Sequence, residues 1–163
     1  MKKFLFFDPN LSYLISDSFF PSGGSTVQTL NWIEGILKTE SKVGIITNQN
    51  FENQKRLDID FIYTFHENSN DSKLKWITHK YWILKRKIIN YNPDYLYQSG
   101  AGFITWVLSK IAKKNGIIFI HRIANDIDTD IRINSKLGFL SKFFYLNGLK
   151  NADIILCQNK VQQ

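Results

Sequence analysis

The densest run of chemically able side chains in this sequence is His121-Arg122-Ile-Ala-Asn125-Asp126-Ile-Asp128-Thr-Asp130, directly after the apolar run Ile117 to Ile120. A histidine, an arginine, an amide and several carboxylates within one short loop supply donors and acceptors together, a combination suited to sugar hydroxyls and phosphates. If the apolar run is a strand, the cluster stands at its carboxyl end, where open α/β sheets bind ligands. A lone histidine is more often structural than catalytic, and it is the position of this one that draws attention to it. A second stretch with chemical capacity is Ser18 to Leu37, SFFPSGGSTVQTLNWIEGIL. Gly23 and Gly24 permit torsions and close approaches that a β-carbon resists, and Ser25 or Thr26 can cap the helix that follows. A helix N-terminus with outward N–H groups attracts phosphate or carboxylate. The stretch is neither GxGxxG nor GxxxxGK[ST], and two glycines before a helix also serve as a plain tight turn, so both readings stand.

These residues need elements to hold them. Phe4 to Phe7 reads as a first strand, followed by a loop of roughly a dozen residues, longer than most βα connections, and by a helix carrying Val27, Leu30, Ile33 and Leu37 at spacings of three and four. Val43 to Thr47 is a second strand, buried and parallel to the first, and Asp60 to Phe65 a third. From Lys73 a helical pattern places Leu74, Ile77, Tyr81, Leu84 and Ile88 on one face, with Trp76, Trp82 and Ile83 off the stripe and Lys75, Lys80, Arg86 and Lys87 among them; Asn92-Pro93 ends it. Surplus aromatics with basic charge fit a membrane-surface helix, but charge runs are usually solvated faces, and the plainer reading is a sheet-packing helix with a solvated basic edge.

Asp94 to Gln98 is a fourth strand, and Ser99-Gly-Ala-Gly102 a second glycine-containing strand-to-helix turn, whose plain reading is close packing of helix on strand. The next helix buries Phe103, Ile104, Val107, Leu108 and Ile111 and closes with Lys113, Lys114 and a left-handed Gly116. Ile117 to Ile120 is the fifth strand. A helix over Leu137 to Leu149 carries Leu140, Phe143, Phe144 and Leu146. Ala152 to Leu156 is the sixth strand, and Gln158 to Gln163 begins one further element. The alternation predicts a Rossmann-like, doubly wound α/β domain over residues 1–163, with a mainly parallel sheet and helices on both faces.

The 163 residues, 44% of them apolar and 15% aromatic, supply one sizeable core. A formal charge of +7 and a pI near 9.4 favour anionic partners: phosphorylated small molecules, an anionic membrane surface or nucleic acid. Nucleic acid ranks last, because no nucleic-acid motif accompanies the charge. The single Cys157 excludes an intrachain disulfide, and His66, His79 and His121 have no zinc-ligand spacing, so no metal is expected. The apolar part of MKKFLFFDPN is too short for a signal peptide, and no apolar run spans a bilayer. A cytoplasmic protein, with room for peripheral membrane contact, is the expectation.

Taken together, PSGGSTVQTLNWIEGIL, NPDYLYQSG, IIFIHRIANDID and NADIILCQNKVQQ resemble the N-terminal, acceptor-side half of a GT-B-fold retaining glycosyltransferase of the family 4 type. The resemblance implies that the donor is a nucleotide-diphosphate sugar, with Gly23, Gly24 and Ser25 forming the loop at its diphosphate. It places Gln28 one helical turn further in, toward the cleft or packed beneath the loop. It makes His121 the family's histidine at the sugar or its phosphates, the expected catalytic residue, and lines the acceptor side with Arg122, Asn125, Asp126 and Asp128. It implies no general base, since retaining members work largely by holding the leaving diphosphate and both reactants in place.

The family's C-terminal donor-binding domain, with its glutamate pair, has no counterpart in this sequence. A partner domain, from the same gene or a separate chain, is therefore expected, and little transfer by this chain alone. The expected role is transfer of a sugar to a glycan or lipid-linked acceptor, as in polysaccharide biosynthesis. The alternative is a non-catalytic binding or membrane-docking subunit that recruits a catalytic partner.

Overall fold

A computed structural model of the chain describes residues 1–15, 23–47, 58–64, 80–129, 133 and 137–162. The fold is the expected Rossmann-like α/β class, with six strands that pair in parallel, three in each of two compact units, Met1–Asp94 and Tyr95–Gln163.

In the first unit, β1 (Lys3–Phe7) and β3 (Asp60–Tyr63) flank β2 (Lys42–Thr47). Every residue of β2 after Lys42 is buried, as expected of a central parallel strand covered on both faces. Its pairing sets Phe4 beside Val43, Phe6 beside Ile45 and Ile45 beside Phe61. A five-residue helix, Leu11–Ile15, occupies part of the stretch expected to be loop. Asp8 starts it by accepting the Asn10 N–H on Oδ1 and the Leu11 N–H on its carbonyl. The next helix runs from Gly24 to Leu37 and buries Thr26, Thr29 and Ile33, leaving Val27 43% exposed. The stripe is thus turned by one position from the apolar residues that suggested it, because the Thr29 hydroxyl is satisfied by the Ser25 carbonyl at 3.0 Å and can be buried.

The helix Tyr81–Tyr91 buries Leu84 and Ile88 and ends, as expected, at Asn92, whose φ of 53° places it in the left-handed region. The earlier part of that expected helix, with Leu74, Trp76 and Ile77, lies outside the described residues. Gly44 is required by packing: a β-carbon there would lie 2.7 Å from the Tyr91 ring.

In the second unit β5 (Ile118–Arg122) is central, between β4 (Tyr95–Ser99) and β6 (Ile154–Leu156). The helix Phe103–Lys114 buries Thr105, Val107, Leu108, Ser109, Ile111 and Ala112 and ends in Lys113-Lys114, with Gly116 at φ 67° as expected. The helix Phe139–Leu149 packs on it so closely that a β-carbon on Gly148 would sit 2.7 Å from the Trp106 backbone nitrogen. Phe144 joins Phe103 and Trp106 in an aromatic cluster with centroid separations of 5.0 and 4.8 Å. Short 3₁₀ turns at Asp126–Asp128 and Lys160–Gln162 complete the unit. Among the described residues no helix is long and apolar enough to cross a membrane.

Candidate functional site

The candidate site residues fall into two groups, one in each unit. In the first unit Gly23 is the N-cap of the Gly24–Leu37 helix, extended at φ −63° and ψ 155°, and no side chain caps the helix. Its carbonyl accepts the Thr26 N–H at 2.9 Å. Ser25 and Thr26, expected as caps, instead lie inside the helix. Gly23 and Gly24 are exposed, neither has a positive φ, and among the described residues no atom lies within 4 Å of a β-carbon built on either. Neither torsion nor internal packing therefore demands glycine here. What the two glycines do provide is backbone without side chains at the positive end of a 14-residue helix dipole. Gln28 is exposed four residues after Gly24, on the same face of the helix.

The second group begins with His121, which the sequence places after the strand and the structure places inside it. β5 extends to Arg122, so His121 and Arg122 are its last two residues, 0% and 2% exposed. The parallel register sets His121 beside Gln98 and Ile155. His121 Nδ1 lies 2.7 Å from Gln98 Oε1, which also accepts the Thr105 hydroxyl at 3.0 Å. Because an amide oxygen only accepts, Nδ1 carries the proton and Nε2 the lone pair. The Tyr145 hydroxyl lies 3.4 Å from Nε2, and the two rings meet nearly edge to face.

Burial pushes the His121 pKa down to about 4, so the ring is neutral at neutral pH. Burial, followed by the nearby charges of Asp128 and Cys157, pushes the Tyr145 phenol up. Gln98 turns its amide nitrogen to the carbonyls of Ser99 and Gly100, at 2.7 Å each, and so holds the second glycine turn. Gly100 has φ 87°, a torsion that does require glycine.

Beyond the strand, Asn125 and Asp128 form a reciprocal capping box around the Asp126–Asp128 turn, with the Asp128 carboxylate accepting the Asn125 N–H at 3.3 Å. Asp126 Oδ1 accepts from Asn159 at 3.1 Å and from Gln162 at 2.7 Å. Gln158 completes the clamp by donating to the carbonyls of Ile123 and Ala124. The C-terminal turn thus fastens the loop that follows β5. Beside it lies a cavity of about 630 Å³ whose walls are largely apolar, with Ile123, Leu146 and Ile155 among them and Asp128, Thr129 and Lys142 as polar points. Such a recess can hold an amphipathic group, its polar part at the Asp128 end.

The structure therefore brings His121, Arg122, Asn125, Asp126 and Asp128 together in one unit and Gly23, Gly24, Ser25 and Gln28 together in the other. Sequence reasoning missed Gln98, Thr105 and Tyr145, the residues that engage the histidine. Parallel pairing of β4 with β5 brings Gln98 to His121, which a single sequence does not reveal. Tyr145, hidden among Phe143, Phe144 and Leu146, would have stood out as the one residue of that run able to donate a hydrogen bond.

No family model matches the sequence, and no curated protein matches it. Solved structures do share the fold. The S. aureus MnaA–UDP co-structure is 15% identical with a TM-score of 0.60, matching 99% of this chain and 39% of its own. A UDP-GlcNAc 2-epimerase from Neisseria meningitidis bound to UDP-GlcNAc is 14% identical with a TM-score of 0.62, over 99% of this chain and 41% of its own. Arabidopsis thaliana UGT89C1 complexed with UDP is 14% identical with a TM-score of 0.54, over 97% and 42%. This chain thus spans about two fifths of the length of the structures it matches.

Proposed function

We propose that this chain is the acceptor-side half of a GT-B-type enzyme that transfers a sugar from a nucleotide-diphosphate sugar to a glycan or lipid-linked acceptor, completed by a donor-binding domain in cis or in trans. The observation that carries the reading is the exposed Gly23–Gly24 start of a long helix, where no described residue demands glycine and a diphosphate would be met by backbone N–H groups. Support comes from the fold shared across 97–99% of the chain with enzymes solved with UDP or UDP-GlcNAc. Their greater length supports a second domain.

In this reading Gly23, Gly24 and Ser25 bind the donor diphosphate, with Gln28 on the same helix face. Asn125, Asp126 and Asp128 shape the acceptor recess. His121 is a positioning residue: bonded at both nitrogens, it fixes Gln98 and through it the Ser99–Gly100 turn. No metal takes part in the proposed chemistry, which rests on orientation and on stabilising the leaving diphosphate.

The test is UDP binding by isothermal titration of the native chain and Gly24→Leu. No described atom crowds the β-carbon position at Gly24, and circular dichroism checks the fold of the variant. The reading expects about tenfold weaker binding, the loss of roughly one charge-assisted contact. Equal affinity in the two proteins would refute it.

A second reading, half of a UDP-sugar epimerase, is favoured by the higher TM-score of the epimerase, 0.62 against 0.54 for UGT89C1. Analysis of the product formed by the completed enzyme separates the two: a new glycosidic bond for transfer, an inverted sugar carbon still attached to UDP for epimerisation.

A further inference from the structure

We infer that the outer face of the Phe139–Leu149 helix is a docking surface for an anionic lipid bilayer. The helix is fixed from behind, where Tyr145 is buried and Gly148 abuts the backbone of Thr105 and Trp106. Its other side displays Phe139 at 84% exposure, Leu140 at 65%, Phe143 at 56% and Leu146 at 40%. The spacing of Phe139, Phe143 and Leu146 makes this one continuous stripe. Leu137, Phe139, Lys142, Phe143 and Leu146 also line a shallow recess of about 470 Å³ that can receive part of an acyl chain. A stripe of this kind on a fixed helix requires a covering phase.

Charge selects the bilayer. Neither the Phe103–Lys114 helix nor the Phe139–Leu149 helix packed against it contains a carboxylate, whereas the pair carries Lys110, Lys113, Lys114 and Lys142, with Lys150 just beyond. Lys113 donates to Asn151, a neutral partner that leaves its charge uncompensated. Apolar side chains at headgroup depth, on a helix that carries a cation and no carboxylate, are the composition of a helix lying in the interface of an anionic membrane. The chain's overall charge of +7 adds long-range attraction of the same sign.

The experiment is co-sedimentation of the full chain with phosphatidylcholine vesicles, with and without about one third phosphatidylglycerol, at low and high salt. The native chain should bind the anionic vesicles and lose most binding in high salt or on neutral vesicles. Phe139→Ser with Phe143→Ser should lower the partition coefficient by about tenfold or more, each ring contributing insertion energy. Lys114→Glu with Lys150→Glu should lower it only on anionic vesicles. All four positions are exposed, and circular dichroism checks the fold. Trp82→Ser, at an exposed aromatic (61%) of the Tyr81–Tyr91 helix, is the control and should change binding less than twofold.

Unaltered binding by the Phe139/Phe143 variant, or equal binding to neutral and anionic vesicles, would overturn the inference. So would native self-association in sedimentation equilibrium that the Phe139/Phe143 variant abolishes, since a second copy would then cover the face. UDP affinity is read in parallel, so that loss of lipid binding is not confused with loss of the proposed nucleotide site.

Discussion

The chain contains two glycine turns that lead into helices, and they are built in opposite ways. At Ser99–Gly102 the backbone is determined from all sides: Gly100 takes a left-handed φ of 87°, Gln98 bonds two successive carbonyls, and Thr105 and His121 hold the Gln98 oxygen. At Gly23–Gly24 nothing comparable exists. The torsions of Gly23 are ordinary, and among the described residues no side chain caps the helix and none comes near either α-carbon. Glycine in the first turn is explained by the protein's own geometry, and in the second it is not. The locked turn is scaffold, and the open one is where an outside group can reach the backbone.

The most damaging way to break this contrast is to remove the lock. His121→Ala leaves a cavity in a fully buried site and strips the Tyr145 hydroxyl of its acceptor, so a loss of about 3 kcal/mol is expected in urea denaturation.

A pH titration probes the same residue without mutation. The folded pKa of about 4 lies below the ordinary value of about 6.5, so the unfolded chain binds the extra proton between them. This contribution is intact above about pH 6.5 and is lost as pH falls toward 4, up to roughly 3 kcal/mol for a shift of that size. Tyr145, its phenol pushed up by burial, stays neutral throughout. His121→Gln should flatten the profile across that interval. An unchanged slope would mean that the ring is not the buried neutral group described.

Next in size is Gly148→Ala. The added methyl meets the Thr105–Trp106 backbone, which cannot yield as a side chain would, and overpacking of this kind costs about 1–3 kcal/mol. Gly100→Ala should cost about 1 kcal/mol, the penalty of a left-handed torsion. Smallest is Gly24→Ala, with a change within about 0.5 kcal/mol, since the site is open and alanine favours the helix. If Gly24→Ala destabilised the fold as much as Gly100→Ala, the two turns would not differ in kind.

The strands and their order along the chain were legible because buried parallel strands are short apolar runs between turn residues, as Val43 to Thr47 illustrates. The caps of Asn92 and Gly116 were legible because left-handed torsions select Asn and Gly. Other features were misread. Ser25 and Thr26 had the right chemistry for a cap, yet Gly23 ends the extended segment and the helix starts one residue earlier. Of the residues that the sequence puts on the Phe139–Leu149 helix, Phe144 packs against Phe103 and Trp106, but Leu140, Phe143 and Leu146 are exposed, while Tyr145 and Gly148 are buried. When apolar residues surround a helix, periodicity no longer says which side is buried; a close helix crossing selects the small residue. The partners of His121 were hidden for a different reason, since they depend on strand register and not on local sequence.

The most direct test of the contrast is a ¹H–¹⁵N correlation titration of the native chain with UDP. Shifts concentrated at the amides of Gly23, Gly24 and Ser25, with Gly100 and Gly102 unmoved, are the result predicted here. Shifts at Gly100 and Gly102 with Gly23 and Gly24 silent would mean that the locked turn meets the ligand, and would contradict the account.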